Sequence, residues 1–291
     1  MVWTTTRHAI NLDQPKVMGI VNATPDSFSD SAASHSAALQ RAHVALNEGA
    51  DILDIGAEST RPGAKPVPLE QEWDRLEPVL REVLTWGVPI SVDTYKPGVM
   101  QRALDMGVDI INDVWALRWT GADDVSGDQV VAAHASCGVC LMHMNGEPAT
   151  MQISPMQGDA VPAVVAFLAQ RVQALAARGV ATARVVLDPG IGFGKTVEQN
   201  FSLLSGQVDL QRLGLPVLAG WSRKSSLGAV TGRAVDARVF ASVAAATLAL
   251  QHGARVLRVH DVAPTKDAVA VYQACAANAG HYANDGANND K

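Results

Sequence analysis

Short apolar runs bounded by turn residues recur eight times along the chain, at 17–22, 51–56, 89–93, 108–113, 139–144, 184–188, 216–220 and 256–260. They are rich in Val, Ile and Leu and do not alternate strictly, the pattern of strands covered on both faces. Helix-like stretches follow at 36–49, 69–85, 97–107, 124–137, 162–178, 198–213, 236–252 and 264–277. In the first, Ala38, Leu39, Ala42, Ala45 and Leu46 share a stripe and Gly49 offers a stop; the third opens at Pro97 and closes at Gly107. Strand then helix, repeated without consecutive hairpin strands, predicts an α/β fold of the (β/α)8 TIM-barrel type. The rival is an open doubly wound sheet, but no GxGxxG turn follows the first strand. Residues 1–280 are expected to form one domain, with a short hairpin before residue 17 across the barrel bottom. Residues 281–291 are expected to be a disordered tail.

Composition narrows the setting. The 291 residues carry a net charge of −6, which leaves no basic footprint for nucleic acid or an anionic membrane, so neither is expected as a partner. The N-terminus lacks a cationic stretch leading into a long apolar run, and a cytoplasmic, unprocessed protein is expected. Cys137 and Cys140 form a lone CxxC with no further ligands in its pattern; both are expected as buried thiols.

In such a barrel the chemistry lies where the strands end. The runs end at or lead into Asn22, Glu58-Ser59-Thr60-Arg61-Pro62-Gly63, Asp93, Asn112-Asp113, His143, Asp188, Ser222-Arg223-Lys224-Ser225, and Arg258 with His260. Any one Asn or Asp here is equally a strand cap, Arg61 alone could be a solvated loop arginine, and His260 or Phe193 alone a core residue. Asp93, Asn112, Asp188 and Lys224 together would be costly to leave unpaired at the rim of a packed barrel, and a ligand with matching donors and acceptors is the simpler account.

Seven strings in order across residues 17–261 resemble the dihydropteroate synthase family. They are Met18 to Asp30 (MGIVNATPDSFSD), Asp54 to Gly63 (DIGAESTRPG), Ser91 to Thr94 (SVDT), Asn112-Asp113, Asp188 to Lys195 (DPGIGFGK), Ser222 to Ser225 (SRKS) and Arg258 to Asp261 (RVHD). The resemblance implies condensation of 6-hydroxymethyl-7,8-dihydropterin pyrophosphate with p-aminobenzoate, giving 7,8-dihydropteroate and pyrophosphate. It assigns Asp93, Asn112, Asp188, Lys224 and Arg258 to the pterin, and Asn22, Thr60, Arg61, Arg258 and His260 to the pyrophosphate. Thr60, Pro62, Phe193, Lys224 and Ser225 fall to p-aminobenzoate, and Asn22 to Mg2+. Catalytic work would rest on Asp93, Lys224, Arg61 and His260. A carboxylate can accept a pterin's adjacent N–H groups as a pair, a guanidinium can cover the ring and reach phosphate, and Mg2+ prefers oxygen ligands. The segment GIGFGK lacks the spacing of a nucleotide P-loop.

The chain departs from the family pattern at Ala23, Ser31-Ala32, Ile191 and Trp221, none of which removes a polar contact. Sulfonamides, as p-aminobenzoate mimics, are expected to inhibit, and the family suggests a homodimer. The loops 23–34 and 57–68 are expected to order around Mg2+-pyrophosphate and so complete the second pocket. Two alternatives stand beside this reading: a methyltetrahydrofolate corrinoid methyltransferase, which would not need Thr60-Arg61 or Ser222 to Ser225, and a non-catalytic pterin-binding barrel.

Overall fold

The computed structural model describes residues 1–24, 31–60, 63–148 and 150–278, with the side chains of Ser31 and Ala32 left aside. The expected tail and, from the two loops, Phe28, Asp30, Arg61 and Pro62 lie outside the described residues.

Near the N-terminus β1 (Val2–Thr4) and β2 (Ala9–Asn11) pair as an antiparallel hairpin with Trp3 opposite Ile10. Eight parallel strands follow: β3 (Lys16–Asn22), β4 (Ile52–Gly56), β5 (Ile90–Asp93), β6 (Ile110–Asp113), β7 (Gly138–Met142), β8 (Val185–Asp188), β9 (Val217–Ala219) and β10 (Ala254–Val259). They pair in sequence order, and β10 closes on β3, so the predicted TIM barrel is the fold.

The helices among the described residues are α1 (Ser31–Asn47), α2 (Leu69–Val83), α3 (Pro97–Asp105), α4 (Gly127–Ala133), α5 (Ala160–Ala177), α6 (Val197–Ser205), α7 (Ser225–Thr231), α8 (Val239–Gln251) and α9 (Val262–Asn278). Two differ from the apolar pattern. The stretch 198–213 divides at Gly206, where a Cβ would meet Val161 at 2.8 Å; beyond it Gln207–Leu213 tightens into a 3-10 turn. The stretch 124–137 shrinks to α4, because a Ser126–Gln129 capping box starts it late and His134 is extended, its Nδ1 accepting the Cys137 N–H at 3.0 Å. α5, by length and composition, could pass for a membrane span, yet it is a barrel helix that buries Val164, Leu168 and Leu175. The free thiols of Cys137 and Cys140 are buried, as expected.

Strand alternation sorts the barrel interior into layers. The lower layer is apolar: Met18, Ile52, Ile110, Cys140, Val186, Leu218 and Val256, one from each of seven strands, close against Trp3, Ile10 and Leu12 of the hairpin segment. From β5, the buried Ser91 pairs in register with Ile110 of that layer. The outward residues between them, such as Leu53, Val92, Ile111, Leu141, Leu187 and Leu257, join the larger core under the helices. Two residues further along, five of the eight strands turn a polar residue inward, and the site begins there.

Candidate active site

The positions two residues above that layer are Ile20 on β3 and, on β4 to β10, Asp54, Asp93, Asn112, Met142, Asp188, Gly220 and Arg258. All except Ile20 and Asp54 line one cavity at the C-terminal mouth, with Thr60, Val114, Ile191, Phe193 and Lys224 completing its wall.

Arg258 organises the floor. Its Nε donates to Asp54 Oδ2 at 2.6 Å and its Nη2 to Asp93 Oδ2 at 2.6 Å, while Asn112 Nδ2 donates to Asp54 at 3.2 Å. Asp54 is fully buried, and its Oδ1 has no hydrogen-bond partner among the described residues. Burial works against the Arg258 charge, but Asp54 and Asp93 outweigh it and hold the pKa above the usual arginine range. Burial pushes Asp93 up to about 7, with Arg258 opposing the rise and Asp54 adding to it. Asp188 is raised for the same first reason, burial, and is countered by the Gly190 N–H, which it accepts at 2.7 Å, and by Lys224 and Arg258. Raised carboxylates in a cleft mark a site where a ligand's donors can replace lost water.

Asp113 looks similar but does other work. Burial pushes it too to about 7, yet its oxygens accept the N–H groups of Trp115 at 2.8 Å and Leu117 at 2.6 Å, so it caps a turn.

On the far wall Lys224 sits with its Nζ 4.4 Å from the Phe193 ring centre. The neighbouring Arg223 adopts the left-handed region, φ 58°, which a non-glycine residue rarely does. A fork to Asp261 (Nε 3.0 Å, Nη2 2.6 Å) and its N–H to Ser242 Oγ (2.9 Å) hold it there. The sharp turn separates its neighbours: Lys224 faces the cavity, and Ser222 Oγ lies 3.0 Å from His260 Nδ1 and accepts the His260 N–H at 3.0 Å.

Seven of the expected residues, Thr60, Asp93, Asn112, Asp188, Phe193, Lys224 and Arg258, thus share one cavity. Asn22 is exposed at the end of β3, Ser225 is exposed as the first residue of α7, and His260 follows β10; none of the three lines it. Arg61 and Pro62 lie outside the described residues. Asp54 and the Arg223–Asp261 pair were not singled out from the sequence. Trp221, a departure from the family pattern, is buried beneath this wall and packs on Phe201 with ring centres 5.4 Å apart.

A model of the pterin binding enzymes matches residues 18–260. Barrel, polar floor and this match together define the class: an enzyme of the pterin-binding barrels. A dihydropteroate synthase of Neisseria meningitidis serogroup B is 49% identical over 285 residues, covering 95% of this chain and 98% of its own. The dihydropteroate synthase of Burkholderia cenocepacia, solved with 7,8-dihydropteroate, superposes with a TM-score of 0.85 at 46% identity, covering 96% and 98% of the two chains. That of Yersinia pestis, solved with a sulfonamide drug complex, gives 0.88 at 38% identity, covering 95% and 100%. The chain belongs to the dihydropteroate synthase family and is a transferase.

Proposed function

We propose that this mouth joins 6-hydroxymethyl-7,8-dihydropterin pyrophosphate to p-aminobenzoate, releasing pyrophosphate and 7,8-dihydropteroate. The observation that carries it is the convergence of Asp93, Asn112, Asp188, Lys224 and Arg258 on one cavity above an apolar layer. Asp188 accepts the pterin's paired N–H donors, Asn112 and Lys224 meet its ring acceptors, and Arg258 lies against the ring. The reaction breaks the bond from the methylene carbon to the pyrophosphate oxygen and forms one to the arylamine nitrogen. Asp93 stabilises positive charge that develops on the pterin as the pyrophosphate leaves, and Arg61, Arg258 and His260 hold the departing anion. The amine proton leaves with the pyrophosphate. Thr60, Pro62, Phe193, Lys224 and Ser225 form the p-aminobenzoate side, which sulfonamides would occupy in competition.

Asn22 fits a role toward Mg2+. It is an exposed amide at a strand end, and the described residues contain no group of three His, Cys, Asp or Glu suited to an all-protein metal cage. Mg2+ commonly takes few protein ligands and completes its shell with water and phosphate oxygens. When bound it would neutralise charge on the pyrophosphate.

The homodimer belongs to this reading. Phe240 is 89% exposed, and Val230, Leu248 and Val271 are exposed on α7, α8 and α9, an apolar surface that suits a second copy. The cytoplasm is the expected compartment, which the three free thiols suit. The deciding experiment is release of pyrophosphate from purified protein with both substrates and with each alone. Release that does not require p-aminobenzoate would reject the proposed reaction.

A further inference from the structure

The connection from β8 to α6 carries Phe193, and its main chain is held from within by one ammonium. Lys195 is 2% exposed, and its Nζ donates to the carbonyls of His143 (3.3 Å), Gly190 (2.8 Å) and Phe193 (3.0 Å). The remaining carbonyls of the loop's glycines are met from the β7 to α5 connection: Gly192 accepts from Gln152 Nε2 at 2.7 Å and Gly194 from the Met156 N–H at 2.9 Å. Gly190 and Gly194 have φ 68°, and a Cβ on either would fall 1.8 Å from the His143 oxygen or 2.1 Å from the Asn145 oxygen. The loop is therefore wound tightly, with two of its own carbonyls and that of His143 after β7 turned onto one charge.

An ammonium has three N–H donors for those three acceptors, whereas a neutral amine has two. Burial, aided by Lys224, lowers the Lys195 pKa to about 7, and Asp188 favours the charged form.

We propose that Lys195 is the positioning residue of the arylamine pocket: an internal cation that sets the β8 loop so that Phe193 meets Lys224 and forms the p-aminobenzoate wall. This rests on the reading that Phe193 lines that pocket. Two of the pterin-binding residues sit on the strands themselves, Asp188 on β8 and Asn112 on β6, so the two substrates should respond differently.

The test is steady-state kinetics of Lys195→Met and of Gln152→Ala, whose side chain is exposed and whose loss leaves the interior intact. Lys195→Met should raise KM for p-aminobenzoate roughly tenfold while KM for pterin pyrophosphate moves less than about threefold; Gln152→Ala should shift the first in the same direction by about two- to threefold. In Lys195→Ala, methylammonium should restore p-aminobenzoate KM, and tetramethylammonium, which has no N–H, should not. Unchanged p-aminobenzoate KM in Lys195→Met, or an equal rise for both substrates without methylammonium rescue, overturns the proposal. Should Lys195→Met not fold, Gln152→Ala decides, and a wild-type KM there overturns it. A wild-type enzyme that releases pyrophosphate without p-aminobenzoate would bring down the reading of the pocket and this inference with it.

Discussion

The two ends of the barrel each set an arginine against a fully buried aspartate, and they do so to opposite purpose. At the bottom Asp109, wholly buried, accepts from Arg7 Nη2 (2.5 Å), the Arg7 N–H (2.9 Å) and the Ile90 N–H (2.9 Å), and Arg7 goes on to the carbonyls of Leu84 (2.7 Å) and Val88 (3.1 Å). Thr5 Oγ1 adds a longer contact to Asp109 at 3.4 Å. Both Asp109 oxygens are satisfied, and the pair ties the hairpin to β5 and β6. At the top Arg258 bridges Asp54 and Asp93, yet Asp54 Oδ1 has no partner among the described residues and burial raises Asp93 to about 7. A buried ion pair is itself weak evidence of stability. What separates a fastening from a binding site here is whether the remaining lone pairs are met by the protein or left for a ligand.

The comparison breaks most sharply at its structural end. Asp109→Ala should cost about 3 kcal/mol of folding stability, since it leaves the Arg7 and Ile90 main-chain N–H groups without their acceptor, while activity per folded molecule stays near wild type. Denaturant midpoints with active-site titration check both halves; a stable but inactive variant would show that the bottom serves chemistry too. Asp54→Asn should do the reverse, lowering kcat/KM by roughly thirtyfold, about 2 kcal/mol, with no loss of melting temperature. Equal damage to folding and turnover would make Asp54 a fastening after all.

Acidity sharpens the same contrast. Asp93 rises from an ordinary 3.8 to about 7, so the folded state holds its proton where the unfolded state has released it. Its contribution to stability is complete below the unfolded pKa and is lost as pH rises through about 7. In the proposed reaction its carboxylate stabilises the developing cation, so kcat/KM should climb as pH rises through about 7. In Asp93→Asn the wild-type-minus-variant difference in melting temperature should fall with pH, and the residual activity should be flat. A variant that keeps the wild-type activity profile would assign the ionisation to another group. The smallest effect belongs to Asn22→Ala, which should raise the Mg2+ concentration for half-maximal rate by a few fold, because one neutral ligand among waters and phosphates is replaceable. No change in Mg2+ dependence would remove Asn22 from the metal.

How much of this was readable from the chain depends on the kind of signal. The strands announced themselves as apolar runs, and Asp93, Asn112, Asp188 and Arg258 stood out because a polar residue ends or interrupts each run. Asp54 was hidden because it lies inside a strand, between Leu53 and Ile55; only its distance of two from Ile52 identifies it as facing inward. Met142 and Gly220 line the cavity without any polar mark. The Arg223–Asp261 fork joins residues far apart in sequence, and nothing local foretells it. The late start of α4 follows from a capping box at Ser126, and the break at Gly206 from the approach of Val161, a neighbour that only the tertiary fold supplies.

The layered interior also bears on how this chain tolerates change in length. Because inward and outward positions alternate, losing Leu53 alone would turn Asp54 toward the helices and bring Ile55 into the barrel axis, exchanging charge for hydrocarbon at the floor of the cavity. Losing two adjacent residues from the same strand would preserve the sense of alternation and merely shift the polar set by one step. For the strands, the parity of a deletion matters more than its size, whereas in the connections between strand and helix parity carries no such meaning.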